Sequence, residues 1–323
     1  MVTAPTILVV IVNYRTPQLA VDCLRSLDSE RSTLPNLQVA MVDNHSEDDS
    51  LAVIGEAIAR EGWQSWVTLH PLPHNGGFAH GNNAVIRPAL ESDCPPDYLW
   101  LLNPDTVVRP GSLTALLAFF KEHPRVGIAG SRLEDIDGRP QYSAFRFPSL
   151  WSEFDQGLRL GIVSKLLSDW VVAPPIAGQV MPTDWVAGAS MMVRSAVFTE
   201  IGLLDEAYFM YYEEVDFCLR ASQAGWPCWY VPESRVVHLV GQSSGVTGAT
   251  AAQRRRPQYW FDSRRRYFCR YYGRAYAALT DAAWMLGFGL WQLRRWLQRK
   301  PAIDPPLLFQ DFLRHSALVR GGE

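Results

Sequence analysis

The first hundred residues alternate unbroken apolar runs with segments whose apolar residues recur at helical spacing. Ile7 to Val12 is a β-branched run with no polar interruption, the pattern of a strand buried on both faces of a parallel sheet. Thr16-Pro17 follows as a helix start, with Leu19, Cys23, Leu24 and Leu27 on one face. Leu37 to Val42 predicts a second strand that stops at Asp43-Asn44. Leu51 to Arg60 predicts a second helix and Trp66 to Leu69 a third strand. Asn75-Gly76-Gly77-Phe78-Ala79-His80-Gly81 reads as a glycine-rich loop ahead of a helix from about Asn82, and Tyr98 to Leu102 as a fourth strand. This βαβαβαβ order predicts an α/β fold with a doubly wound, mostly parallel sheet and a ligand crevice at the carboxyl ends of its strands.

The regular pattern then breaks. Residues 127 to 187 are rich in Pro, Trp and Phe and read as an irregular or antiparallel extension, with an acceptor-facing loop around Phe147 to Ile176. Trp185 to Val193 predicts a strand interrupted at Gly188, with a helix from near Ser195. A helix is expected over Glu214 to Ala224, then two short strands, Trp229 to Val231 and Val236 to Leu239. Past Gly241 eight arginines fall between Arg254 and Arg274, interleaved with aromatic residues. An apolar stretch, Ala282 to Leu293, follows and is closed by Arg294, Arg295, Arg299 and Lys300. The expected division is residues 1–245 and 246–323.

Composition narrows the classes. Over 323 residues, 48% hydrophobic and 20% charged content fits a folded globular chain. A net charge of -3 argues against a general nucleic-acid binder. Five cysteines without a Cys-x-x-Cys pair fit a reducing cytoplasm and give no zinc signal. The apolar run at Ile7 has no basic segment before it and reads as a strand, not a signal peptide.

Four groups could carry chemistry. Asp43 and Asp105 end predicted strands, where ligands bind in such sheets; helix capping or turn formation would also place them there. The glycine-rich run offers backbone amides for a diphosphate, or is simply a turn needing positive φ; it matches neither a dinucleotide fingerprint nor a P-loop. Glu213, Glu214 and Asp216 crowd at a hydrophobic rim, which raises carboxyl pKa values and suits a general base. A solvated helix start enriched in acids is the plainer alternative. His238 on an apolar strand is either a core histidine or a metal ligand beside the polar segment 241–245.

Eight segments, taken in order from about residue 7 to 245, resemble the family 2 glycosyltransferases of GT-A fold, in particular their rhamnosyltransferase-like branch. They are Ile11-Val12-Asn13-Tyr14, Val42-Asp43-Asn44, Asn75 to Asn82, Leu102-Asn103-Pro104-Asp105, Trp185 to Ala189, Gly202 to Glu206, Phe209 to Asp216 and Val237-His238-Leu239. The resemblance implies an inverting transfer of a sugar, best matched by rhamnose from a deoxythymidine-diphosphate donor, onto a saccharide or lipid-linked saccharide in cell-surface polysaccharide synthesis. Val12, Asn13, Tyr14, Asp43, Asn75, Gly77, Asn82, Asn103, Asp105 and Gly188 would bind the nucleotide sugar. Asp105 and His238 would hold Mn²⁺ or Mg²⁺, and Glu214 would be the base. The family's Asp-x-Asp has Asn103 in its first place here. Its Glu-Asp pair is Glu213-Glu214, which leaves Asp216 as a second candidate base.

The Arg/aromatic tail has three readings: nucleic-acid binding, which the acidity of the whole chain opposes; a helix pair lying on an anionic membrane surface; or a cap with Trp284, Leu286, Phe288 and Trp291 in its core. The apolar stretch is shorter than the roughly 20 residues a span needs. The expected place of work is therefore the cytoplasm, at the inner face of the cytoplasmic membrane, with no nucleic-acid partner. Two rivals remain: a nucleotidyltransferase, which would want a glycine-rich basic loop where Asn13-Tyr14-Arg15-Thr16-Pro17 stands, and an inactive family member acting as a scaffold.

Overall fold

A computed structural model describes residues 4–31, 34–239, 254–301 and 303–320. The apolar runs form the centre of a nine-stranded sheet in which β1 (Ile7–Asn13), β2 (Leu37–Asp43), β3 (Val67–Pro71) and β4 (Tyr98–Leu102) are mutually parallel, in the order β3-β2-β1-β4. Between them run α1 (Pro17–Asp28), α2 (Ser50–Arg60) and α3 (Gly77–Leu90). After β4 come β5 (Thr106–Val108), α4 (Ser112–Glu122) and β6 (Ile128–Glu134). Beyond β7 (Ala144–Phe145) the chain forms α5 (Leu150–Leu158), α6 (Gly161–Leu166), β8 (Met181–Thr183), β9 (Trp185–Val186) and β10 (Ser190–Arg194). The last elements are α7 (Ser195–Ile201), α8 (Glu213–Gln223), β11 (Cys228–His238), α9 (Gln258–Leu297) and α10 (Leu308–His315). The sheet continues from β4 as β10-β6-β11-β5, with β8 also pairing β11; β10 is antiparallel to both neighbours.

Three expectations change. The glycine-rich run is not a loop: α3 starts at Gly77, because that residue takes φ +88 and the bare backbone closes on the Phe209 carbonyl. The middle segment is more ordered than its composition suggests. It supplies the buried strand β6 and the helix α5, whose Ser149 and Ser152 form a reciprocal capping box. The two short strands are one, β11, with a register shift between Val231 and Arg235 where Pro232 interrupts the ladder.

The chain divides into two compact units. The first comprises residues 1–145, 175–209 and 213–243 and contains the whole sheet. Its core is the buried face of β1, β2 and β4, with Trp100 fully enclosed and its indole N–H donating to Ser190 Oγ at 3.1 Å. That hydroxyl continues through Ser131 to Ser234, each step 2.7 Å, so these buried hydroxyls satisfy one another.

The second unit comprises residues 146–174, 210–212 and 244–323. The stretch 146–174 thus packs with the C-terminal region, across the boundary drawn at 245. Here α9 breaks at Gly273 (φ 79) into two helical halves. Trp284, Phe288 and Trp291 are buried with Phe261, Leu308 and Phe312, as the cap reading expected, whereas Leu286 points outward and is 60% exposed. The arginines are largely used internally. Arg264 is buried between Glu153 and Asp281, and Arg255 pairs with Asp311 through both carboxylate oxygens. Burial opposes the charge on Arg264, yet the two carboxylates outweigh it and hold the guanidinium above its ordinary value. No helix among the described residues is long and apolar enough to cross a membrane.

Candidate active site

The carboxyl ends of β1, β2 and β4 lie along one edge of the sheet, and the pairing puts Asn13 beside Asp43 and Ile11 beside Leu102. Because β10 runs antiparallel to β4, its entry residues Gly188 and Ala189 arrive at that same edge. The Asn103 amide donates to the Ala189 carbonyl there at 3.1 Å. The sequence-predicted residues therefore gather where an open α/β sheet binds ligands.

Asp43 is buried, and its carboxylate is held in place. Oδ1 accepts from Asn13 Nδ2 at 2.9 Å and Ser46 Oγ at 2.6 Å, and Oδ2 from the Ser46 amide at 3.1 Å. Ser46 also receives the Arg15 amide at 3.0 Å, which fixes Arg15 in a left-handed conformation with its guanidinium over the Tyr14 ring. Tyr14 itself is half-buried, as is Asn103, while Val12 is enclosed and packs on Gly81. Ser46 was not singled out from sequence, and Asn44 was named only as part of the Val42-Asp43-Asn44 segment, with no role. Their only signal was their place just after a strand-ending Asp.

Around the start of α3 the amides expected to be open are engaged. Asn75 Oδ1 accepts from the Gly77 amide at 3.0 Å and from Asn44 Nδ2 at 2.9 Å. The Phe78 amide donates to Phe209 O at 2.9 Å. Asn82 Nδ2 donates back to Phe78 O, leaving its Oδ1 buried and unpartnered. This corner reads as a fixed hinge of backbone contacts more than as an open anion nest. Gly188 belongs to it, since a Cβ there would meet the Phe78 ring at 3.4 Å.

Asp105 and His238 are brought together by the sheet. Strand β5 pairs antiparallel with β11 so that Thr106 faces His238, and the Leu239 amide closes on Asp105 O at 2.9 Å. His238 Nε2 stands 3.5 Å from Asp105 Oδ1, too long for a good hydrogen bond, and that buried oxygen has no hydrogen-bond partner. A buried carboxylate oxygen left without a donor, facing an imidazole nitrogen, fits a cation. Two ligand atoms each about 2.1 Å from one ion lie roughly 3–4 Å apart. Among the described residues no three His, Cys, Asp or Glu side chains gather into a cluster that could hold an ion unaided. The segment 241–245, expected as a flexible neighbour of His238, lies outside the described residues.

At the start of α8 the acids take different environments. Glu213 is buried, and burial together with the neighbouring Glu214 pushes its carboxyl well above the usual range. Burial raises Glu214 to about 7, and one oxygen of each carboxylate is enclosed without a partner. Asp216 is fully buried, and its Oδ2 accepts from Arg220 Nε at 2.8 Å. Arg220 in turn donates to the Ile201 and Leu203 carbonyls, so this acid ties the helix to the preceding turn. Tyr211 and Tyr212, just ahead of Glu213, both have positive φ (68 and 70). Each costs on the order of 1–3 kcal/mol for a bulky side chain, a strain concentrated where it sets the entry of the acidic helix.

Comparison with known proteins bears on this arrangement. The family model described as "Glycosyltransferase like family 2" matches residues 4–260. Over 193 residues, 55% of this chain and 61% of the relative, the sequence is 34% identical to the N-acetylglucosaminyl-diphospho-decaprenol L-rhamnosyltransferase of Mycobacterium tuberculosis. It is 32% identical over 167 residues to rhamnosyltransferase WbbL of Escherichia coli, covering 50% of this chain and 60% of that one. The chain spans about three fifths of the length of these curated relatives. Among solved structures, GalNAc-T7 with UDP, GalNAc and Mn²⁺ superposes with a TM-score of 0.57 at 15% identity, over 98% of this chain and 55% of that one. The mannosyltransferase PcManGT of Pyrobaculum calidifontis, in complex with GDP-Man and Mn²⁺, gives 0.53 at 12% identity, over 97% and 70%. At such identities the likeness is one of fold, the GT-A arrangement of a mostly parallel sheet between helices.

Proposed function

Since the chain belongs to glycosyltransferase family 2, we propose that it moves rhamnose, with inversion, from a nucleotide-diphosphate donor to a lipid-linked saccharide met at a membrane surface. The observation that carries the site assignment is the buried, unpartnered Asp105 Oδ1 facing His238 Nε2 on the donor edge of the sheet. The sugar and acceptor classes are supported by the two rhamnosyltransferases to which the chain is about a third identical.

Asp105 and His238 would hold Mn²⁺ or Mg²⁺, the remaining ligands coming from the diphosphate; such an ion supplies neutralisation of the charge that develops on the leaving group. The chain's own residues do the rest. Asn13, Tyr14 and the Asp43–Ser46 pair form the edge on which the nucleoside rests. Glu214 accepts the proton of the acceptor hydroxyl, on the side of the sugar opposite the diphosphate. A carboxyl lifted to about 7 is well matched to that task, because a base of ordinary carboxylate strength would be a poorer proton acceptor near neutral pH. Asp216, committed to Arg220, holds α8 in position. Deprotonating the incoming oxygen as the leaving group departs from the far face produces inversion.

The test is a panel of nucleotide sugars with Mn²⁺, reading nucleoside diphosphate release. Asp105→Asn and Glu214→Gln should each lose turnover, with nucleotide binding retained in Glu214→Gln. Normal turnover in Glu214→Gln with a dead but folded Asp216→Asn would reverse the base assignment.

A further inference from the structure

The second unit is chemically unlike the first. It holds 17 Lys and Arg against 8 Asp and Glu, a formal +9, whereas the first holds 13 against 25, or -12. It also carries most of the exposed large apolar side chains among the described residues; the first unit shows only Leu51, Ile136, Tyr142 and Ile176. Within the second unit these residues are ordered. The half of α9 after Gly273 turns Leu279, Leu286, Leu290, Leu293, Trp296 and Leu297 outward, a row at helical spacing. From 275 to 293 the only charged residue is Asp281, and it is buried. The row then runs into Arg299 and Lys300, both exposed.

Packing decides which face is left outside. Helices α5 and α9 approach through glycines: a Cβ on Gly287 would lie 2.6 Å from the Phe154 carbonyl oxygen, and one on Gly157 2.4 Å from that of Trp284. This contact, together with the packing of α10 on Trp284, Phe288 and Trp291, buries that face of the helix and leaves the leucine row on the other side.

We propose that this leucine row of α9, about 28 Å of helix, lies in the plane of an anionic bilayer surface, with Arg299 and Lys300 on the lipid headgroups. The inference rests on the lipid-linked acceptor proposed above and identifies the surface that reaches it. Charge selects this occupant over a second copy of the chain. Two +9 surfaces repel, whereas an anionic leaflet attracts each basic side chain close to it. The row also lacks the flanking acid–base pairs that a coiled-coil seam uses to choose its partner. An exposed Trp beside the basic cluster suits the boundary between acyl chains and headgroups.

The full chain is tested by co-sedimentation with vesicles of phosphatidylcholine containing about a third phosphatidylglycerol, against phosphatidylcholine alone. The expected result is binding to the anionic vesicles only, weakened by salt. Leu286→Glu/Leu293→Glu should lower the bound fraction at least about tenfold, and Arg299→Glu/Lys300→Glu should remove its salt dependence. Both variants change exposed residues, so donor turnover with a water-soluble acceptor should stay at the parent level. Vesicle binding unchanged in the leucine variant, or none in the parent, overturns the proposal. So does a dimer in light scattering that the leucine variant dissolves, or capture of duplex nucleic acid in place of vesicles. Vesicle binding without nucleotide release from any donor would instead overturn the transferase assignment and leave the surface standing.

Discussion

Glu214→Gln is expected to be nearly inactive and yet more stable than the parent. The carboxyl rises from 4.5 to about 7 on folding, chiefly through burial. At about 1.4 kcal/mol per tenfold change in proton affinity, ionising it in place costs about 3 kcal/mol. The sign follows from proton linkage. Below about pH 4.5 the group is protonated in both states and the cost is absent. Between 4.5 and 7 the unfolded chain releases its proton and the folded one keeps it, so stability falls as pH rises. Above 7 the whole cost is present. A glutamine in the same pocket never ionises and escapes it, so the variant's advantage should be near zero at pH 4 and reach about 3 kcal/mol at pH 8. Thermal melts of the two proteins across this range should separate by several degrees at the alkaline end. Meanwhile nucleoside diphosphate release should fall by about 10²–10⁴-fold, and the parent's kcat should rise through an apparent pKa near 7. Equal melting at pH 8, or a rate limb near the ordinary carboxylate value, would refute the reasoning.

Asp105→Asn should stay inactive however much Mn²⁺ is added, and chelation should silence the parent until Mn²⁺ is returned; parent activity indifferent to chelator would contradict the Asp105–His238 assignment. Gly77→Ala should cost on the order of 2 kcal/mol and raise the donor KM, because its φ is +88 and the new Cβ would fall 1.9 Å from Phe209 O. Arg264→Leu leaves Glu153 and Asp281 buried without a counter-charge. It should cost about 3–5 kcal/mol and expose the second unit to limited proteolysis, while Arg254→Leu, at an exposed position, should not.

The central strands were legible because a run such as Ile7 to Val12 has nowhere to go but between two helical layers. Each also ends at the polar residue that turns the chain out at the carboxyl edge. The site was legible in its components for the same reason: Asp43 and Asp105 stand where apolar runs stop. Less legible were β6 and α5, which sit in a stretch whose Pro and aromatic content masks its periodicity. The start of α3 was misread because glycines signal turns in isolation, and only the Phe209 carbonyl explains why Gly77 opens a helix instead. Leu286 was assigned inward by its apolarity. The close approach at Gly287 turned the helix so that it faces out.

The amino-acid sequence alone determined the alternation of the first four strands with their helices, the sheet edge at which their polar ends gather, and the kinds of side chain available there, since these follow from local pattern and strand polarity. Tertiary structure decided which of those side chains meet. The β5–β11 pairing places His238 3.5 Å from Asp105 across a separation no local pattern spans. The burial of α8 lifts Glu214 while Arg220 captures Asp216, two acids that the sequence presents as equals. Long-range pairing and desolvation act through the folded chain, and neither is written in the spacing of its residues.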